Sequence, residues 1–250
     1  MNAEHFYLTR LLALRSGMSE DDATLLAWSN YLTDKMTSWD QGMVTQVYSP
    51  NAMDGLVQRL ILSSFHFFPS GKEGDPWVVE AASPNITFIE KWYRGDPIPA
   101  GIALHVYQDT FTHAGFRAVE DERNGPGDYS FPPPIGHARF YGWPDEPWRK
   151  WAHLNGQVID NPSVFLAASK ATWGLLSDEE FPTDMEEALL EAFQMDDDER
   201  RHFRLSHMTD NNVSWDEAHD RLWPIHHDSW ISAAKVHLAW SLSYLPLGEP

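Results

Sequence analysis

The chain has 250 residues, 18 Lys and Arg against 37 Asp and Glu for a formal charge of −19, and no Cys. The missing cysteines exclude a disulfide-stapled module, a thiolate metal site and a thiol nucleophile, and so acidic a surface repels nucleic-acid backbones. At 42% apolar and 22% charged residues this is a globular composition, and its 12 His beside many carboxylates suit a hard or borderline metal with N and O ligands.

The N-terminal MNAEHFYLTR is not a signal peptide, because His5 and Arg10 interrupt its only apolar run. No stretch approaches the roughly 20 apolar residues of a spanning helix, so no transmembrane segment and a cytoplasmic location are expected. In EHFYLTRLLALRSG, Phe6, Leu8, Leu11, Leu12 and Leu14 recur at near-helical spacing up to a C-capping Gly17. Ser19 then caps SEDDATLLAWSNYLTDKM, with Asp22 three residues on, and completes a helical hairpin. DGLVQRLILSSFHFF is a helix or an extended apolar segment broken at Pro69-Ser-Gly71, after which the chain is loop-like to Pro84. ITFIEKWYRG reads as helix, and Gly95-Asp-Pro-Ile-Pro99 as a rigid turn into PAGIALHVYQDTFTHAGF.

NGPGDYSFPPP excludes helix and reads as part of a long ordered loop over 124–136. Beyond GHARFYGWPDEP, helices are expected over WRKWAHLNGQVIDNP, from Ser163 to Leu176, over DMEEALLEAFQ with Thr183 as its cap, next to a cap in the acidic run Asp196–Arg200, and over SWISAAKVHLAWSL. Few stretches alternate with period two. The expected fold is all-α, about seven to nine helices in a single domain spanning 1–250.

The chemistry centres on His105, Asp109 and His113, an H-x3-D-x3-H pattern on one predicted helix. Steps of four residues keep the three on one stripe fanning over roughly 80°. Eight residues rise about 12 Å, whereas metal–ligand bonds are about 2 Å. One ion therefore does not reach both histidines. The spacing points to two ions, with His105 and Asp109 on one and His113 on the other or behind it. A hydrogen-bonded core network is the alternative, but buried His and Asp are costly unless satisfied.

Further ligands must come from elsewhere. His5 and Glu4 lie in the first helix, Asp34 closes the second, and His66 interrupts the aromatic run SSFHFFP, where a core His bonded to a hydroxyl is the alternative. His137 follows Pro132-Pro-Pro-Ile-Gly136, and Asp145 lies nearby, as a ligand or as the cap of a helix starting near Pro147. Tyr141, Trp143 and Trp148 crowd that loop, either as an aromatic wall for a substrate or as aromatics packed on the domain. His153, His202, His207, His219, His226, His227 and His237 are weaker candidates, His237 because it sits in an apolar helix.

The segments EHFYLTRLLALRSG, WSNYLTD, SFHFFP, HVYQDTFTHAGF and GHARFYGWPDEPW, in this order, resemble a family of uncharacterised, mostly bacterial proteins of about this length. That family is in turn similar to the all-α zinc-dependent phospholipase C and single-strand-specific zinc nucleases. The resemblance implies a zinc site in which His5, Asp34, His66, His105, Asp109, His113 and His137 match metal ligands. It departs at two points: residue 1 is an initiator Met where those enzymes use a mature amino terminus, and Tyr141 stands where an H-x3-E element would place Glu. Two zinc ions are therefore expected rather than three, with Asp145 a candidate replacement.

The functional expectation is a metal-dependent hydrolase acting on a small phosphoester, ester or amide, with Asp34 or Asp145 accepting a proton or orienting water. Two other classes stay open. One is a helical di-iron oxygenase or redox enzyme with the same ligands, and the other a non-catalytic, metal-stabilised binding protein.

Overall fold

The computed structural model describes residues 4–37, 41–46, 55–82, 95–125, 135–209 and 211–246. Most of the expected helix ITFIEKWYRG and the middle of the Gly/Pro-rich loop, 126–134, lie outside the described residues. Eight α-helices are described: α1 Glu4–Arg15, α2 Glu20–Leu32, α3 Gly55–Phe65, α4 Pro97–Thr112, α5 Asn161–Leu176, α6 Thr183–Phe193, α7 Asp198–His207 and α8 Trp215–Leu242. The fold is an all-α bundle, and no helix among the described residues is long and apolar enough to cross a membrane.

Local chemistry sets the helix ends. Gly17 stops α1 at φ +91°, a conformation that costs glycine least. Ser19 caps α2 by accepting from the Asp22 amide, and Glu20, Asp21 and Asp22 place negative charge at the positive end of the helix dipole. Asp96 caps α4 by accepting from the Ile98 amide, and Pro97 sits at the first helical position, where a missing N–H costs nothing.

Helix α4 is buried from Ile98 to Thr110, so it runs through the middle of the bundle rather than over its surface. Its closest neighbour is α2. A Cβ built on Gly101 would stand 2.4 Å from the Leu26 carbonyl oxygen and 2.7 Å from Ser29 Cβ, so only glycine lets the two backbones approach this closely. Phe6, Trp28, Ile61, Phe65, Ile102 and Trp230 bring α1, α2, α3, α4 and α8 into one core.

The expected helix over WRKWAHLNGQVIDNP is instead an antiparallel hairpin, β1 Lys150–Ala152 paired with β2 Val158–Asp160, Trp151 opposite Ile159. Asn155-Gly156 supplies the turn, with Gly156 at φ +79°, and Trp151 faces inward between exposed Lys150 and Ala152. The short alternation and the Asn-Gly signal outweigh helical propensity here. The last helix begins far earlier than its apolar run, at Trp215, and carries Pro224 in its interior.

Candidate metal centre

Three elements converge on the last two turns of α4. Helix α1 contributes His5 from its first turn, Asp34 stands just past the end of α2, and His66 just past the end of α3. Helix α4 itself supplies His105 and Asp109. Asp109 is the hub: its Oδ1 lies 3.2 Å from His5 Nε2, and its Oδ2 lies 2.9 Å from His66 Nδ1 and 3.3 Å from His105 Nε2. His105 Nε2 and His66 Nδ1 are 3.2 Å apart. Asp34 Oδ1 stands slightly back, 3.7 Å from His105 and 3.8 Å from His66.

The rings are tied from behind. His66 Nε2 donates to the Thr45 carbonyl at 3.0 Å, and His5 Nδ1 contacts the Gln108 side-chain oxygen at 3.0 Å. The remaining nitrogen of each neutral ring then carries a lone pair aimed at a carboxylate oxygen, and acceptors facing acceptors require protons or a cation between them. Donors around one tetrahedral ion with bonds of about 2 Å stand about 3.3 Å apart. His66, His105 and Asp109 meet at 2.9–3.3 Å. His105 Nδ1, by contrast, finds no hydrogen-bond partner among the described residues. The donor set therefore fits a divalent ion with N and O ligands.

A second cluster adjoins the first. His113 caps the C-terminus of α4, donates from Nδ1 to the His66 carbonyl at 2.9 Å, and places Nε2 3.0 Å from Asp145 Oδ1. Phe67 stacks on its ring at 4.5 Å. His137 arrives on the loop after Gly136, whose φ is +53°; a Cβ there would stand 2.4 Å from the Phe67 ring. His137 Nδ1 donates to the Tyr141 carbonyl at 2.7 Å, leaving Nε2 3.2 Å from Asp145 Oδ2. Tyr141 holds that carbonyl in place at φ +54°, strained for a side-chain-bearing residue.

Asp145 closes a one-turn 3-10 segment, Trp143–Asp145, and no helix starts near Pro147, so the helix-cap alternative is set aside. His105 and His113 thus face different clusters, as the axial rise along α4 requires. Within each of three sets, His5/Asp34/His105, His66/His105/Asp109 and His113/His137/Asp145, one ligand atom per residue lies within 4.8 Å of the others. The first two share His105.

Electrostatics tie the clusters to cations. Burial alone would raise the Asp109 pKa, yet the charges of His105 and His113 and the hydrogen bonds of His105 and His5 hold it well below the carboxylate range. Asp145 is held far down in the same way by His137 and His113. Burial disfavours charge on His5, but Asp109 and Asp34 outweigh it and push its pKa up to about 9. His66 and His137 shift upward against burial for the same reason, with Asp109 and Asp145 the main partners. Without a metal, protons on these rings balance the two carboxylates. His105 goes the other way, lowered by its burial.

The outer cluster is the more open, since the Asp145 side chain is 30% exposed and that of Asp109 5%. Tyr141 projects into solvent at its rim. Trp143 is half-buried against Phe140, and the Arg149 guanidinium lies over both Trp143 and Trp148. Gln108, Thr45 and Gln46 escaped the sequence reading. Gln108 sits next to Asp109 and was in principle visible there, whereas a backbone carbonyl such as that of Thr45 leaves no sequence signal. His237 is a core residue bonded to the Ser64 carbonyl at 3.0 Å, and His227 bonds the Gln41 carbonyl away from either cluster.

No curated protein and no solved structure matches the chain. A family model described as a family of unknown function (DUF6765) matches residues 1–240, and the chain belongs to that family.

Proposed function

We propose that this chain is a metal-dependent hydrolase that holds a zinc ion in each cluster and cleaves a small phosphoester, ester or amide. One observation carries the reading. In His5, His66, His113 and His137 one ring nitrogen is tied to a fixed oxygen, while the other faces an Asp109 or Asp145 oxygen at 2.9–3.2 Å. A network built only to fill a core does not need four imidazoles tied behind and aimed inward. The His and Asp donors suit zinc as they suit iron, and the motif resemblance to zinc-dependent phospholipase C and the zinc nucleases favours zinc.

Divalent ions bound there supply Lewis acidity and lower the pKa of water. The protein's own groups divide the remaining work. Asp109 and Asp145 stay ionised and hold charge rather than give up protons. Asp34, 3.7 Å from His105, 3.8 Å from His66 and touched by the Gln46 amide at 3.4 Å, or Asp145 between His113 and His137, accepts a proton or orients water. Substrate approaches from the side of Asp145 and His137, where Tyr141, Trp143 and Trp148 offer aromatic surface. A net charge of −19 opposes anionic substrates at long range, so neutral esters and amides stand beside phosphoesters in the substrate class.

The test is elemental analysis of the purified protein beside a His105→Ala/Asp109→Ala variant, with turnover of nitrophenyl phosphate, nitrophenyl acetate and a nitroanilide before and after chelation. The expected result is about two zinc per chain, falling to about one in the variant, with an activity that chelation abolishes and zinc restores. Unchanged metal content in the variant would refute the site. Iron with oxygen consumption would replace hydrolysis by redox chemistry, and zinc without turnover would leave a structural role.

A further inference from the structure

The residue beside Asp109 bears on the same ring as Asp109 does. Consecutive helical residues point about 100° apart, and here they take the two nitrogens of His5: Asp109 Oδ1 lies 3.2 Å from Nε2 and Gln108 Oε1 3.0 Å from Nδ1. We infer that Gln108 is a positioning residue, whose side-chain oxygen accepts the Nδ1 proton of His5 and so presents Nε2 to the inner cluster as its metal-binding atom. This rests on the metal-centre reading and adds to it the origin of one ligand's tautomer.

The Gln108 amide is itself held from three helices. Its oxygen also accepts from Asn30 Nδ2 of α2 at 3.0 Å, and its nitrogen donates to Thr9 Oγ1 of α1 at 3.1 Å and to Thr172 Oγ1 of α5 at 3.4 Å. Asn30 Nδ2 further reaches Thr9 Oγ1 at 3.3 Å. Gln108 is 6% exposed, and Thr9, Asn30 and Thr172 are fully buried. Burying four polar side chains is costly unless they satisfy one another, and of this group only Asn30 Oδ1 finds no partner among the described residues. What this group supplies that apolar packing would not is direction, an oxygen rather than an NH2 facing His5. Turning the Gln108 amide alone would set its NH2 against that of Asn30. Turning both would make His5 Nδ1 an acceptor and put a proton on Nε2, pointing at Asp109, an arrangement that leaves no lone pair for a metal. The two arrangements are mutually exclusive.

The experiment uses the full chain, labelled with 15N-histidine and loaded with zinc. NMR is expected to show a slowly exchanging proton on His5 Nδ1 and zinc on Nε2. In parallel, zinc affinity is measured by chelator competition. Gln108→Met, similar in volume and without an acceptor, is expected to bind zinc about 10–100-fold more weakly, the usual cost of losing such a supporting contact. Gln108→Glu keeps an oxygen on Nδ1 and is expected to stay within a few-fold of the parent. A merely structural role would lower the stability of both variants without separating their zinc affinities. Ligation through Nδ1, or parental zinc affinity in a folded Gln108→Met, overturns the inference alone. A parent protein that takes up no zinc overturns the metal reading and the inference with it. If Gln108→Met does not fold, the parent spectrum decides.

Discussion

Gly101→Ala places one methyl group between α2 and α4, and the structure sets what it must cost. The new Cβ would lie 2.4 Å from the Leu26 carbonyl oxygen, 2.7 Å from Ser29 Cβ and 2.9 Å from the Asn30 amide nitrogen. Two of those atoms are backbone of a buried helix and cannot rotate away. Restoring ordinary contact requires α4 to back off α2 by about 1 Å. Overpacking of this kind costs about 1–3 kcal/mol, and the rigid neighbours place this site near the upper end. At about 2–4 °C per kcal/mol for a domain of this size, the melting temperature should fall by about 6–12 °C. The same displacement carries His105, Gln108 and Asp109 away from Asn30 and Asp34, so zinc affinity should fall with stability. Gly174→Ala is the control, an exposed position in α5 with nothing within 4 Å of the added carbon, where the better helix former should be neutral or stabilise by up to about 1 kcal/mol. Calorimetry of both variants, with chelator competition, checks the reasoning. A Gly101→Ala protein melting within about 2 °C of the parent would refute the close-packed α2–α4 contact.

Asp145→Asn removes the carboxylate shared by His113 and His137 while leaving Asp109 and its three imidazoles in place. Elemental analysis should show bound zinc falling from about two per chain to about one, and loss of both ions or of neither would contradict separate clusters. His237 should leave an acid signature unrelated to metal. Burial lowers its pKa to about 4 despite its hydrogen bond to the Ser64 carbonyl. Between that value and the ordinary 6.5, the unfolded chain binds the proton more readily. Stability should therefore be fully present above pH 6.5 and decline by up to about 3 kcal/mol as the pH falls to about 4. His237→Gln should flatten that part of the curve in urea titrations of metal-free protein, and an unchanged slope would remove His237 as its cause.

Much of the site was legible in the chain because its strongest signal is local. His105, Asp109 and His113 share one helix, and periodicity alone places them on one stripe and spaces them too far apart for one ion. The helix start at Ser19 and the stop at Gly17 were equally local, each a matter of one side chain or one φ angle. The hairpin at 150–160 was missed because two three-residue strands carry too few positions to outvote the helical residues around them. The Asn155-Gly156 turn was the only available hint. Where the chain is apolar on every side, as in α4, periodicity says that a helix is buried but not what covers it.

What the sequence determined, then, is an inventory and one axis: imidazoles and carboxylates without thiols, three of them in line on a helix. Tertiary structure decided the rest. It chose which distant residues meet that axis, set Asp145 against His113 and His137, and fixed which ring nitrogen of each histidine faces inward. Those choices depend on atoms with no signature in the chain, the carbonyls of Thr45, His66 and Tyr141 and the close approach allowed at Gly101 and Gly136. A backbone oxygen acts through its position, and position is settled only when the whole bundle has packed.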